Sequence, residues 1–222
     1  MTAHPVDVVS TAPNDAAADP YDAAVGLSAT ARALYDRGWM PGTSGNISIR
    51  SGADAVLITA SGLGKGRLTS ADTVLVRADT GAPVRPGSLR PSAETCIHLA
   101  VYRAFPAVGA VVHAHPPYAT ALASRRSRAG GGPVRFTDLE LIKGMGRSYL
   151  DSIEIPLFAN WREVPRIAAE VGEHFARPAT DPAPALLIAH HGATTWGADL
   201  AEASDRLECL ETLCQLALLI GD

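Results

Sequence analysis

Gly109-Ala110-Val111-Val112-His113-Ala114-His115-Pro116-Pro117 is the stretch whose reading decides the fold. An apolar run that turns polar and meets two prolines reads as a buried strand and its end, because proline has no N–H to give to a sheet ladder. On an extended backbone, His113 and His115 at i and i+2 present both imidazoles on one face. Residues 92–105 ahead of it carry Ile97, Val101, Ala104 and Phe105 as the buried stripe of a helix, and residues 118–128 behind it read as another. A buried strand between two helices predicts an α/β domain with a central sheet covered by helices.

Working outward, the alternation continues in both directions. Residues 22–37 form an alanine-rich helix stopped at Gly38, with Val25, Leu27, Leu34 and Tyr35 as its apolar residues. Residues 47–49 and 55–59 pair as a hairpin across Ser51-Gly52-Ala53-Asp54, and a strand at 73–76 ends at Asp79-Thr80-Gly81. Ser92, just after Pro91, is the candidate cap of the helix that follows. Downstream come a strand at 153–158, a helix at 163–175, a strand at 185–189 and a long helix at 200–220. Strand order is left open, and no internal repeat is visible.

With 222 residues, 47% hydrophobic and 19% charged, the chain suits one domain, placed at residues 22–222. Residues 1–21, rich in Ala, Pro and Asp, lack the basic start and apolar run of an export signal and are expected to be a disordered leader. The apolar windows are too short or interrupted to span a bilayer, so a cytoplasmic protein is expected. A net charge of -4 gives no general attraction for nucleic acid or an anionic membrane, so any anionic substrate must be held locally. Cys96, Cys209 and Cys214 lack metal-knuckle or redox-pair spacing and are expected to be buried filler without a disulfide.

A third imidazole is available where the strand at 185–189 ends in His190-His191-Gly192. His191 is preferred because Gly192 gives the backbone freedom for a tight turn, with His190 as the alternate. Three neutral imidazoles suit zinc or another late divalent ion and leave a coordination position for substrate. Any one of these histidines alone would more simply be a satisfied loop residue; their clustering favours the metal. His98 and His174 read as helical residues with structural or solvent roles, and His4 as part of the leader.

Two loops, Gly42-Thr43-Ser44-Gly45-Asn46 and Ala60-Ser61-Gly62-Leu63-Gly64-Lys65-Gly66, lack Walker spacing but offer backbone donors for phosphate oxygens. The side chains of Thr43, Asn46, Ser61, Lys65 and Ser92, with the Gly62 backbone, complete that set. Two carboxylates stand out. Glu94, in the first turn of its helix, would be held ionised there and serve as a fourth ligand or a base. Glu140, among apolar residues, would have its proton affinity tuned by partial burial.

Taken together, Gly42–Asn46, Ser61-Gly62, Pro91-Ser92-Ala93-Glu94, His113-Ala114-His115 and His191-Gly192 resemble the class II aldolase/adducin family in order and spacing, over essentially residues 22–220. The stretch from Gly38 to Ser48, Glu140-Leu141-Ile142-Lys143-Gly144 and His191-Gly192 with Trp196-Gly197 look like a dehydratase branch of that family. The resemblance implies an α/β/α fold with a mainly antiparallel sheet, homotetramers and active sites near subunit boundaries. It further implies one Zn2+ per subunit on His113, His115 and His191, with Asn46, Ser61 and Gly62 on phosphate. The acid/base residue would be Glu140 in the dehydratase branch and Glu94 in the aldolase branch. The implied reaction is dehydration of 5-methylthioribulose 1-phosphate to 5-methylthio-2,3-dioxopentyl phosphate in methionine salvage. An aldolase, a pentulose-phosphate 4-epimerase or a non-catalytic adducin-like domain is the alternative. Ala93 departs from the pattern where a second serine is common, which removes one possible phosphate contact, and Asp138 lies in a variable stretch.

Overall fold

A computed structural model describes residues 20–146, 152–177 and 181–221. The elements follow in the order α1 (Pro20–Asp36), β1 (Asn46–Ser51), β2 (Ala55–Thr59), β3 (Thr73–Arg77), α2 (Thr95–Ala104), β4 (Ala110–Ala114), α3 (Pro117–Arg128), β5 (Val134–Thr137), β6 (Ser152–Ile155), β7 (Leu157–Phe158), α4 (Val164–Phe175), β8 (Ala185–Ile188), β9 (Gly192–Gly197) and α5 (Leu200–Ile220). One seven-stranded sheet runs β3-β2-β1-β4-β9-β8-β7, and β5-β6 form a separate ribbon. Every pairing is antiparallel except β7 with β8.

The deciding stretch is β4, the middle strand, and all five of its residues are buried. Alternation sends Val112 and Ala114 to one face, with Leu27 of α1, Leu122 of α3 and Leu207 of α5. Val111 goes to the other, with Ile97 and Val101 of α2 and Ile167 and Val171 of α4. The fold is therefore a three-layer α/β/α sandwich with a mainly antiparallel sheet, and each buried Leu or Ile contributes about 1.5–3 kcal/mol relative to exposure. His113 shares the Val111 face. Antiparallel register sets Asn46 of β1 and Thr194 of β9 directly beside it, so three polar residues form one row across the sheet.

Three readings change. The strand at 153–158 is two strands, β6 and β7, in different sheets, with Pro156, which has no N–H to give to a ladder, between them. Ser92 does not cap α2, which begins at Thr95; instead its hydroxyl accepts from Glu94 N at 3.3 Å and its carbonyl from Thr95 Oγ1 at 2.7 Å. Strands β5 and β9 have no counterpart in the sequence expectation; β9, Gly192-Ala193-Thr194-Thr195-Trp196-Gly197, is buried on both faces and so shows no alternation. The leader expectation lies outside the described residues up to position 19, while residues 20 and 21 already belong to α1.

Candidate metal and phosphate site

β4 delivers His113 at its buried end and His115 just past it, where His115 N donates to Trp39 O at 2.8 Å. His191 comes from the turn between β8 and β9. The three rings stand edge to face, with centroids 4.9 to 5.1 Å apart, and offer one nitrogen each within 4.8 Å of one another. His190 points elsewhere: it is exposed, and its φ of 58° is the left-handed step that reverses the chain. The role given to Gly192 changes accordingly. It does not supply the unusual backbone angle; a Cβ there would meet Ala114 O at 2.2 Å, so glycine is needed for close approach of β9 to β4.

Several features fit a divalent cation. His113 Nδ1 is engaged with Thr194 Oγ1 at 2.9 Å, leaving its Nε2 facing His115 Nε2 at 3.2 Å. Two imidazole nitrogens that close share at most one proton unless a cation lies between the rings. Among the described residues, the buried His191 Nδ1 has no hydrogen-bond partner. Burial pushes the His113 pKa down to about 3, against the opposing pull of Glu94, and burial lowers that of His115. Neutral imidazole is the form that ligates. The cluster can coordinate a metal ion.

Glu94 completes this group from the N-cap position of α2, where its side chain makes no cap. Its Oε1 lies 2.9 Å from His191 Nε2, and its Oε2 lies 3.3 Å from His113 Nε2 and accepts from Asn46 Nδ2 at 2.6 Å. Burial alone would raise its pKa, but the two histidines and the Asn46 bond carry it well below the usual carboxylate range. With His113 neutral, that ionisation leans on the His191 and Asn46 contacts.

Thr43, Asn46, Ser61, Gly62, Lys65 and Ser92 all line one cavity of about 300 Å³, which also reaches Glu94 and His115. Their individual environments differ. Gly62 has φ of 78°, the turn that only glycine adopts freely. Lys65 is buried, and its ammonium donates to Thr43 O at 2.8 Å and Leu63 O at 3.1 Å, fastening the two loops together. Burial lowers its pKa, with Glu94 opposing. Asn46 spends its amide on Glu94 and His98. Arg90, which belongs to none of the predicted sites, donates to Ser61 Oγ at 3.2 Å and brings an exposed cation to the serine. Its only sequence signal is its place beside Pro91-Ser92.

Glu140 lies elsewhere. It begins a short 3-10 turn, Glu140–Met145, anchored by buried Ile142 and Met145. The expected partial burial is not found: its side chain is 73% exposed, pairs with Lys143 at 2.7 Å and is not among the residues lining the cavity. The neighbouring apolar side chains point into the core while the carboxylate points out. A larger cleft, about 790 Å³ between β6, β7 and the end of α4, contains none of the predicted site residues.

A three-layer α/β/α domain with a histidine triad, an adjacent carboxylate and a polar anion-sized cavity defines a metal-dependent enzyme of the aldolase and dehydratase type. Comparison with known proteins agrees. Residues 25–218 match the Class II Aldolase and Adducin N-terminal domain, and the chain belongs to this family. It is 53% identical over 196 residues to a probable bifunctional methylthioribose-1-phosphate isomerase/methylthioribulose-1-phosphate dehydratase of Nocardia farcinica, covering 88% of this chain but only 35% of that protein. It is 38% identical over 192 residues to the methylthioribulose-1-phosphate dehydratase of Sorangium cellulosum, covering 86% of this chain and 88% of that one. Among solved structures, L-fuculose-1-phosphate aldolase from Thermus thermophilus superimposes with a TM-score of 0.68 at 28% identity, covering 90% and 93% of the two chains.

Proposed function

We propose that this protein dehydrates 5-methylthioribulose 1-phosphate to 5-methylthio-2,3-dioxopentyl phosphate, using one Zn2+ per subunit in a cytoplasmic homotetramer of methionine salvage. The observation that carries the reading is the cavity in which His115 and Glu94 share walls with Thr43, Ser61 and Ser92, in a chain aligned over most of its length with a dehydratase of that name. The sequence identity to a protein named for both an isomerase and this dehydratase supports the same substrate.

His113, His115 and His191 would hold the ion, which when bound polarises the ketose C2 carbonyl and makes the C3 proton more acidic. The Thr43, Ser61 and Ser92 hydroxyls and the Gly62 backbone bind the phosphate, with Arg90 supplying positive charge at Ser61. Glu140 takes the C3 proton, the C4 hydroxyl takes a proton from solvent and leaves as water, and the resulting enol gains a solvent proton at C4 and gives up its hydroxyl proton to become the diketone. Glu94, held ionised by its contacts, is a weakened base and orients His191. Its place beside the histidines nevertheless favours one rival, a sugar-phosphate aldolase or epimerase with Glu94 as the acid/base.

The test incubates metal-loaded protein with the methylthio ketose phosphate in D2O and follows products by mass spectrometry and NMR. Loss of one water with deuterium at C4 is expected, abolished by chelation and reduced about 100-fold or more by Glu140→Gln with metal retained. Carbon–carbon cleavage or C4 epimerisation, suppressed by Glu94→Gln rather than Glu140→Gln, would replace this reading with the rival. Absence of any turnover by fully metalated protein would end both.

A further inference from the structure

Behind Glu94 runs a row of buried polar side chains that this chemistry does not use. Asn46 Oδ1 lies 2.6 Å from His98 Nε2, His98 Nδ1 lies 2.7 Å from Ser48 Oγ, and Ser48 Oγ lies 3.0 Å from Tyr102 Oη. At the other end, Asn46 Nδ2 donates to Glu94 Oε2 at 2.6 Å. Ser48 and His98 are fully buried, and Asn46 and Tyr102 nearly so. β1 supplies Asn46 and Ser48 at alternate positions, while α2 supplies His98 and Tyr102 one turn apart, so the row follows the strand–helix seam.

Each link has one permitted direction. A carbonyl oxygen only accepts, so His98 Nε2 must carry the proton that meets Asn46 Oδ1. Burial keeps the ring neutral at ordinary pH, which leaves Nδ1 as an acceptor for the Ser48 hydroxyl. Ser48 Oγ, having spent its proton, accepts from the Tyr102 hydroxyl. The consequence falls on Asn46, whose amide has two orientations of nearly equal shape. Flipped, its oxygen would face the Glu94 carboxylate and its NH2 would face the His98 N–H, two mismatches in a water-poor place.

We propose that His98 is a positioning residue, held by Ser48 and Tyr102 as its Nε2-protonated tautomer, which locks the Asn46 amide toward Glu94 and so fixes the Glu94 carboxylate against His191 and His113. Its activity consequence rests on the lyase reading above; its tautomer does not. His98 thus acts through two intermediaries and touches neither substrate nor metal.

Long-range 1H–15N correlation spectra of the full chain, with its histidines 15N-labelled, test the tautomer directly. His98 is expected to show a protonated Nε2 and a bare Nδ1, with and without bound zinc; an Nδ1-protonated His98 overturns the proposal whatever the protein catalyses. A second arm compares variants of equal charge. His98→Gln can set an N–H where Nε2 stands, whereas His98→Asn reaches only as far as Nδ1. The glutamine variant is expected to keep kcat within a few-fold and the asparagine variant to lose about tenfold or more, with KM little changed in either. Equal losses of kcat in the two, in step with their losses of stability, would make His98 a packing residue and sink the idea. If the parent protein turns over no ketose phosphate, the function reading fails, and the tautomer alone decides this one.

Discussion

A histidine buried as a neutral ring ties stability to pH. Burial pushes the folded His98 pKa down from 6.5 to about 4, with Glu94 the opposing influence. The unfolded chain takes up a proton near 6.5 and the folded chain not until about 4. Between those values the unfolded state binds more protons, so stability is intact above pH 6.5 and falls as pH drops toward 4. The full loss from this one residue is about 3 kcal/mol. His113, pushed down to about 3, adds loss in the same sense to lower pH. Urea unfolding of metal-free protein at about pH 7 and about pH 4.5 is expected to show the drop, and His98→Gln to shrink it by roughly 2 kcal/mol. An unchanged difference between the two pH values would show that His98 is not its source.

At the scale of elements, α3 has an unusual beginning. Pro116 and Pro117 open it without any side-chain cap of its own. The missing acceptor comes from α5: Glu211 receives Tyr118 N at 2.9 Å and Ala119 N at 2.7 Å, and burial raises its pKa despite those bonds. A carboxylate from a distant helix thus holds the chain directly after His115. Glu211→Ala is expected to cost about 1–3 kcal/mol, as one buried and one part-buried N–H group lose their partner, with Glu211→Gln costing less because it keeps one acceptor. Thermal unfolding measures the cost. Tyr118 lies three residues after His115, so affinity for the proposed metal ion is expected to fall alongside stability, and an alanine variant with parental melting and parental affinity would refute the link.

For the whole molecule, the distance between Glu140 and the cavity has a consequence. An exposed carboxylate paired with Lys143 can serve the proposed reaction only if a neighbouring copy presents it or its turn rearranges. In the proposed homotetramer, with sites at subunit boundaries, the first arrangement is expected. Light scattering should then give four times the 23.1 kDa chain mass. Inactive Glu140→Gln and His113→Ala proteins, unfolded and refolded together, should regain activity in mixed assemblies; tetramers that never regain it would place Glu140 in its own chain's site or outside catalysis. The sequence by itself determined the alternation of elements, the shared face of His113 and His115 and the loops carrying Thr43, Ser61 and Gly62, because each depends on local periodicity or local backbone freedom. Only the tertiary structure decided that Asn46 and Thr194 flank His113, since cross-strand register joins residues far apart in the chain. It likewise brought His191, and not His190, beside His113 and His115, and committed Lys65 to the Thr43 and Leu63 carbonyls. Those outcomes depend on which groups long-range packing brings within reach, and no local pattern carries that information.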